Sequence, residues 1–176
     1  MHKGRQAMTM KCTRRYLLAG AGLAALAVVR WPNAASALTE GNFEVQKAEE
    51  EWRKLLTKQQ FEVLRKHGTE IPGSSPLNRE KRKGIYSCAG CELALFSSET
   101  KYESGTGWPS FWQPVPNAIG TKVDRSLFMT RTEVHCRRCG GHLGHVFEDG
   151  PKPTGLWYCM NGVALKFTPA ADAGPA

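Results

Sequence analysis

The sequence predicts a mainly β protein in which antiparallel strands follow a helical N-terminal segment. Between residues 42 and 67 the apolar side chains recur at steps of three and four, a period typical of amphipathic helices. Beyond Gly84 the chain changes to short apolar runs separated by glycine, proline and other turn residues, which indicates short antiparallel strands. Two Cys-x-x-Cys pairs, each at the end of a predicted strand, add a candidate metal site to this fold.

Two helices are expected before the strands. The first has an apolar face made by Val45, Ala48, Trp52, Leu55 and Leu56. Thr57 followed by Gln60 has the form of a capping box, which predicts a second helix that ends before Gly68. Residues 69–83, which contain several proline, glycine and serine residues, are predicted to form a long loop.

The predicted strands coincide with apolar runs at residues 85–86, 93–96, 127–134 and 163–167. In the last run, Val163, Leu165 and Phe167 occupy alternate positions, as a strand with one buried face requires. The length of 176 residues allows one domain with a substantial core rather than two domains.

The first 37 residues have the composition of an export signal. Arg14 and Arg15 precede an apolar run at residues 17–29, and small residues suited to cleavage follow at 35–37. Paired arginines followed by an aromatic residue and leucine resemble a bacterial twin-arginine signal, whose cargo is exported folded. The alternative, an uncleaved membrane anchor, is disfavoured because the run is shorter than the roughly 20 residues that span a bilayer.

We therefore expect a signal peptide at residues 1–37, a single domain at residues 38–176 and a periplasmic location. The sequence has 24 Lys and Arg against 16 Asp and Glu, but six of the basic residues precede Leu38, where no acidic residue occurs. The remaining 18 basic residues nearly balance the acidic ones, which excludes nucleic acid as a partner. After signal removal we expect a monomer without stable membrane association.

Four of the five cysteines beyond the predicted signal form two pairs, Cys88 with Cys91 and Cys136 with Cys139. A tight turn after the first cysteine of each pair aims both sulfurs at one point. Two such pairs facing each other provide the tetrahedral four-sulfur geometry of structural zinc. The alternatives are two disulfides, which an oxidising compartment favours, or iron in place of zinc.

The fifth cysteine, Cys159, has no near partner in the sequence and follows two histidines, His142 and His145. A solitary thiol close to histidines is a candidate nucleophile. Imidazole titrates near neutral pH, so either histidine is a candidate proton donor. The alternatives for the histidines are structural hydrogen bonds to the backbone, or zinc ligation.

Four blocks of sequence resemble the methionine sulfoxide reductase B family. They are Gly105-Thr106-Gly107-Trp108-Pro109-Ser110-Phe111, Gly140-Gly141-His142-Leu143-Gly144-His145-Val146-Phe147, Asp149-Gly150-Pro151 and Tyr158-Cys159-Met160-Asn161. The resemblance covers residues 45–169. It implies two small antiparallel sheets packed as a tent or open barrel with N-terminal helices, one structural zinc ion held by the four paired cysteines, and reduction of the R epimer of methionine sulfoxide in peptides and proteins.

The resemblance also implies roles for single residues. The Cys159 thiolate attacks the sulfoxide sulfur, a histidine (His145 or His142) protonates the oxygen, methionine leaves, and Cys159 becomes a sulfenic acid. The Trp108 ring packs on the S-methyl group of the substrate, although packing in the core beside Phe111 is the alternative for this residue.

Asn161 and Asp149 match family positions that line or support the site, and we expect them to act through hydrogen bonds. Two positions depart from the family pattern. Trp157 stands where the family usually has an arginine, which leaves Arg137, Arg138 or Lys152 as candidates to supply a cation. Thr106 stands where many relatives have a resolving cysteine, so regeneration is expected to need an external thiol, such as a thioredoxin-like protein.

The leading hypothesis is a periplasmic enzyme that repairs oxidised methionine in exported proteins. One alternative is a non-enzymatic zinc-ribbon binding module of the same fold, since fold alone does not decide function. Another is a thiol–disulfide oxidoreductase that uses one Cys-x-x-Cys pair. The unpaired Cys159 close to two histidines favours the reductase.

Overall fold

The structure, a computed structural model, describes residues 43–126 and 129–171, so the predicted signal peptide lies outside the described residues. The described chain begins with helices α1 (Glu49–Leu55) and α2 (Lys58–Lys66). The strands that follow are β1 (Gly84–Cys88), β2 (Ala94–Ser97), β3 (Lys101–Tyr102), β4 (Ser110–Phe111), β5 (Ile119–Asp124), β6 (Arg131–Cys136), β7 (His142–Phe147), β8 (Trp157–Met160) and β9 (Leu165–Pro169). Within these residues, no helix is both long and apolar enough to cross a membrane.

The strands form two antiparallel sheets. The smaller sheet has the order β2-β1-β9, and the larger has the order β3-β4-β8-β7-β6-β5. Neither order returns to its first strand in the described part of the chain, so neither sheet closes into a barrel. The prediction of a mainly β fold with two antiparallel sheets and N-terminal helices is confirmed.

The second helix begins as the sequence predicts. The Gln60 amide donates to the Thr57 hydroxyl at 3.2 Å, and the Gln60 side chain accepts from the Thr57 amide at 3.0 Å. The helix ends at His67, whose φ of 57° is left-handed. Helix α1 is shorter than the predicted apolar stripe, and Leu55 is 61% exposed instead of belonging to the buried face.

Aromatic side chains join the two sheets in the core. Phe96 of β2 stacks on Phe111 of β4 with ring centroids 4.4 Å apart, and Tyr86 of β1 meets Phe111 edge-on at 5.0 Å. The helices close this core with the buried side chains of Trp52, Phe61 and Leu64.

Most predicted strands are present, with shifted ends. Strands β1 and β2 lie where the first two apolar runs predict them. The third run becomes a strand only from Arg131, and two of its residues, 127 and 128, lie outside the described residues. In the fourth run Val163 belongs to a 3-10 turn, Gly162–Ala164, so the strand begins at Leu165. The prediction that Val163 belongs to this strand is therefore wrong.

Candidate active site and metal centre

The four paired cysteines converge at one point. The Sγ atoms of Cys88 and Cys139 are 3.7 Å apart, those of Cys91 and Cys136 are 3.5 Å apart, and all four lie within 4.8 Å of one another. Each of the two closest contacts joins one Cys-x-x-Cys pair to the other. The sequence prediction that the two pairs face each other is therefore confirmed.

This cluster fits a metal ion held by four thiolates. A tetrahedral ion with bonds of about 2.3 Å to sulfur holds its ligands about 3.8 Å from one another, close to the observed separations. A disulfide would require about 2.05 Å between sulfurs, and the cysteines are free thiols in the described chain. Because Cys88 ends β1 and Cys136 ends β6, an ion here would connect the smaller sheet to the larger one.

The cross-strand register places polar side chains in one row across the larger sheet. Cys159 on β8 lies opposite His145 on β7, and on its other side opposite Ser110 on β4. His145 in turn lies opposite Glu133 on β6, and Glu133 lies opposite Lys122 on β5. Directly opposite residues share one face of a sheet, with Cβ atoms about 4.5–5.5 Å apart. The register therefore brings the predicted nucleophile and one predicted proton donor side by side.

Gly144, between the two histidines, permits the close approach of β7 and β8. A Cβ at this position would lie 2.1 Å from the carbonyl oxygen of Cys159 and 3.0 Å from the Cα of Met160. These are backbone atoms, which cannot move without moving the strand. Any side chain at residue 144 would therefore force apart the two strands that carry Cys159 and His145.

A cavity of about 190 Å³ opens beside this strand pair. It brings together four residues that the sequence analysis singles out: Cys159, His145, Trp108 and Asn161. Phe147 and Trp157 add aromatic walls to the same cavity, and Arg131 and Thr106 add polar groups. The space suits a small side chain with an apolar end and a polar end.

His145 is oriented by an ionised carboxylate. Its Nε2 is 2.8 Å from Oδ2 of Asp124, and the same oxygen accepts from Arg131 at 2.8 Å. A hydrogen bond from the Ser126 amide lowers the pKa of Asp124, and the hydrogen bond from His145 lowers it further. Together they outweigh the effect of burial, so this pKa lies well below its usual range. Because an ionised carboxylate can only accept, Nε2 of His145 carries the proton, and Nδ1 remains as the basic nitrogen. Burial lowers the pKa of His145, so the imidazole is mainly neutral.

His142 lies behind His145 and does not line the cavity. The two rings meet edge-on with centroids 5.4 Å apart, and the His142 side chain is only 3% exposed. Nδ1 of His142 is 3.0 Å from Oε1 of Glu133. Burial alone would raise the pKa of Glu133, but hydrogen bonds from His142 and His67 outweigh it and lower that pKa well below its usual range.

Among the described residues, no cation acts on the thiol of Cys159 to stabilise its ionised form, and Arg131, which lines the same cavity, is paired with Asp124. Burial raises the pKa of Cys159 to about 11, a hydrogen bond from Thr106 acts in the opposite direction, and the charge of Glu70 raises it further. The arginines proposed as substitutes for the family arginine lie elsewhere. Arg137 donates to the carbonyl of Asn117, and Arg138 donates to the carbonyl of Cys91 beside the thiol cluster.

Trp157 is held in place as a wall of the cavity. Its Nε1 donates to the hydroxyl of Ser110 at 2.9 Å, and its ring lies 5.0 Å from that of Phe147. Trp157 therefore contributes apolar surface to the cavity at the position where the family resemblance leads us to expect an arginine. Trp108 is anchored in the same way, since its Nε1 donates to the carbonyl of Glu70 at 3.2 Å.

Asn161 supports the cavity through hydrogen bonds at both ends of its side-chain amide. Its Oδ1 accepts from the Glu70 amide at 2.9 Å, and its Nδ2 donates to the carbonyl of Leu143 at 3.1 Å. The Glu70 carboxylate accepts from the amides of Gly162 and Val163, which ties the loop after α2 to the end of β8. Asp149 is exposed and does not line the cavity.

The sequence analysis did not single out the partners of the histidines. Asp124, Glu133 and Arg131 lie on β5 and β6, outside the four family blocks, and reach the histidines only through strand pairing. Phe147 is the last residue of the family block that begins at Gly140, but nothing in its position in the sequence predicts a role in the site.

Comparison with known proteins identifies the family to which the chain belongs. Residues 56–169 match the SelR domain family. The peptide methionine sulfoxide reductase MsrB of Leptospira interrogans serogroup Icterohaemorrhagiae serovar Lai is 55% identical over 72% of this chain and 97% of that protein. Proteins of the same name from Methanosarcina barkeri and Methanosarcina mazei are 58% and 55% identical, over 70% and 74% of this chain and 87% and 94% of those proteins.

Among solved structures, the crystal structure of the Mis18 'Yippee-like' domain matches 52% of this chain and 100% of that chain, with a TM-score of 0.43 and 17% identity, a likeness too weak to inform on function. The family match over residues 56–169 and the sequence identity to MsrB proteins together establish the family of this chain. This chain belongs to the SelR domain family of MsrB peptide methionine sulfoxide reductases.

Proposed function

We propose that this chain reduces the R epimer of methionine sulfoxide in peptides and proteins, with Cys159 as the nucleophile and His145 as the proton carrier. One observation carries the choice of residues: Cys159 and His145 are direct cross-strand partners and line one cavity with aromatic walls. Family membership gives the class of reaction, an oxidoreductase that needs a methionine sulfoxide substrate and a thiol reductant.

The proton that the reaction needs comes from the nucleophile itself. Cys159 begins as a thiol because its pKa is about 11, and His145 begins neutral with Nδ1 available. Nδ1 takes the thiol proton, the thiolate attacks the sulfoxide sulfur, and the imidazolium then protonates the sulfoxide oxygen. The protonated oxygen then moves from the substrate sulfur to the Cys159 sulfur as the bond between the two sulfurs breaks. Cys159 is thereby oxidised by two electrons to the sulfenic acid, and the substrate leaves as methionine.

The aromatic walls bind the apolar end of the substrate. In this proposal the S-methyl group lies against Trp108, with Trp157 and Phe147 on the remaining apolar walls. This arrangement directs the sulfoxide oxygen toward His145 for only one of the two epimers, which gives the R selectivity.

His142 and Asn161 act behind the reacting groups in this proposal. His142 packs its ring against His145 and is itself held by Glu133, so it limits the orientations open to the proton carrier. Asn161 keeps the loop after α2 against β8. Asp149 keeps its predicted supporting role through hydrogen bonds in this proposal, although it is exposed and does not line the cavity.

Regeneration requires a thiol from outside the chain. Thr106, which stands where many relatives have a resolving cysteine, donates a hydrogen bond to Cys159 and has no redox chemistry. The four remaining cysteines beyond residue 37 belong to the metal cluster. We assign zinc to this cluster because four thiolates in a closed tetrahedral set are the donors that structural zinc prefers.

The proposed setting is the bacterial periplasm. The paired arginines, the apolar run and the small residues of positions 1–37 support export of a folded, metal-loaded enzyme. Its substrates would then be oxidised methionines in exported proteins. Mature protein of residues 38–176 should be recovered from a periplasmic fraction, and replacing Arg14 and Arg15 by lysine should leave the precursor in the cytoplasm.

The Cys159→Ser variant tests the assigned nucleophile. A serine hydroxyl is almost never ionised at neutral pH, so we expect reduction of R-methionine sulfoxide to be lost while the fold and metal content stay unchanged. Methionine release from the R and S epimers, measured with dithiothreitol as reductant, is the readout. Thr106→Ser is the matched control, because it keeps the hydroxyl beside the thiol and should remain active. Activity of Cys159→Ser near that of the parent would show that another residue attacks the sulfoxide.

A further inference from the structure

A second group of metal-ligating side chains lies outside the cavity and apart from the four cysteines. It consists of His67, Glu133 and His142, with one ligand atom of each within 4.8 Å of the others. His67 ends α2, whereas Glu133 and His142 lie on the adjacent strands β6 and β7 of the larger sheet. Three elements that are separate in sequence therefore converge on one point.

We propose that this cluster is a second metal site, which takes a divalent ion of the zinc class and clamps α2 onto the larger sheet. Two imidazole nitrogens and one carboxylate oxygen form a donor set that zinc uses when water occupies its fourth position. With bonds of about 2.0–2.2 Å, neighbouring ligand atoms of such an ion lie about 3.0–3.5 Å apart. The Nδ1 atoms of His142 and His67 lie 3.0 and 3.2 Å from Oε1 of Glu133.

The charges and the exposure of the cluster suit an entering ion. Both histidines face the same carboxylate oxygen, Oε1 of Glu133, while Lys122 contacts the other oxygen at 3.3 Å. An ion can therefore take the place of the protons on the two imidazoles without displacing the lysine. His67 is 41% exposed, whereas His142 and Glu133 are 3% and 4% exposed. The exposed histidine gives the ion a path from solvent and leaves room for a water ligand.

The site uses neither Cys159 nor His145, but it shares His142 and Glu133 with the proposed support of His145. Zinc could instead bind Cys159 and His145 in the cavity, and the test must separate the two locations. We therefore use the Cys159→Ser protein with its four-cysteine cluster loaded, and titrate it with ZnCl₂ by calorimetry and with CoCl₂ by absorption.

We expect one further ion per chain, a cobalt spectrum without a thiolate charge-transfer band, and a melting temperature that rises with free zinc. Loss of a group that only supports a metal ligand weakens binding by roughly 10–100-fold. Because His67 is a direct ligand in this proposal, adding His67→Gln should weaken binding by at least as much and abolish the rise in melting temperature. His135→Gln is the matched control, since it removes a histidine of β6 outside the cluster and should retain both effects.

Two results would overturn the proposal. One is the absence of any further ion at zinc concentrations that leave the protein soluble. The other is a second ion bound with equal affinity by the His67→Gln protein, which would place the ion elsewhere. MgCl₂ serves as the comparison ion and should not bind, because a site with two imidazoles does not suit it.

Discussion

At the scale of single residues, the electrostatics of the proposed nucleophile, Cys159, depend on its burial in a cavity that the apolar ring of Trp157 also lines. Burial raises the pKa of Cys159 to about 11, and no cation in the described chain figures among the causes that act on it. In the proposed mechanism His145 compensates in part, because its neutral Nδ1 would accept the thiol proton in place of a base from solution. The site therefore resembles a thiol and imidazole pair more than a preformed thiolate.

Trp157→Arg should lower the pKa of Cys159 and accelerate the reductase step. A cation favours the charged form of the thiol, and a charge-assisted hydrogen bond of roughly 1.5–3 kcal/mol corresponds to about one to two pKa units. The rate of iodoacetamide alkylation, followed against pH, should therefore rise at lower pH than in the parent.

Trp157→Gln is the control for this change, since it removes the indole without adding charge. It should not shift the alkylation profile toward lower pH. An arginine variant whose profile coincides with that of the parent would mean that another group already stabilises the thiolate.

At the scale of the elements, the pairing of β7 with β8 determines whether the site exists. Gly144→Ala should destabilise the protein by about 1–3 kcal/mol and reduce its activity, because the new methyl group would lie 2.1 Å from the Cys159 carbonyl. Thermal unfolding and initial rates measure the two effects. Gly90→Ala is the control, because its Cβ would meet neighbours only at 3.6 Å or more. Full activity in Gly144→Ala would contradict the dependence on this close approach.

The elements also show how far the sequence could predict the structure. The capping box at Thr57 and the strands that end at Cys88 and Cys136 depend on local patterns, and these predictions are confirmed. Strands β7 and β8 did not appear among the predicted apolar runs, because their faces carry the residues of the site. A strand that places histidine or cysteine on one face loses the alternation that identifies it.

Contacts between strands were beyond the reach of local patterns. Asp124 meets His145, and Glu133 meets His142, only because β5, β6 and β7 pair in a particular register. The solitary thiol near two histidines indicated Cys159 and His145, the family resemblance added Trp108, and the structure places all three at one cavity.

At the scale of the whole molecule, a metal ion held by the four cysteines would connect the two sheets. Cys136→Ser should release the bound ion and lower the melting temperature together, because a structural four-sulfur site contributes its binding free energy to folding. Metal analysis and calorimetry of the purified protein measure both quantities. Cys159→Ser, which leaves the cluster intact, should keep the ion and the melting temperature. A Cys136→Ser protein that retains both would contradict a structural metal centre.

In the proposed mechanism Cys159 takes the oxygen of the substrate, and no other cysteine of residues 38–176 resolves the sulfenic acid. The most direct test is a single-turnover experiment with purified protein, R-methionine sulfoxide and no reductant. We predict about one methionine released per chain, a sulfenic acid on Cys159 that dimedone traps, and an unchanged metal content. A disulfide between Cys159 and Cys88, Cys91, Cys136 or Cys139, accompanied by loss of metal, would contradict the separation of the catalytic thiol from the metal cluster.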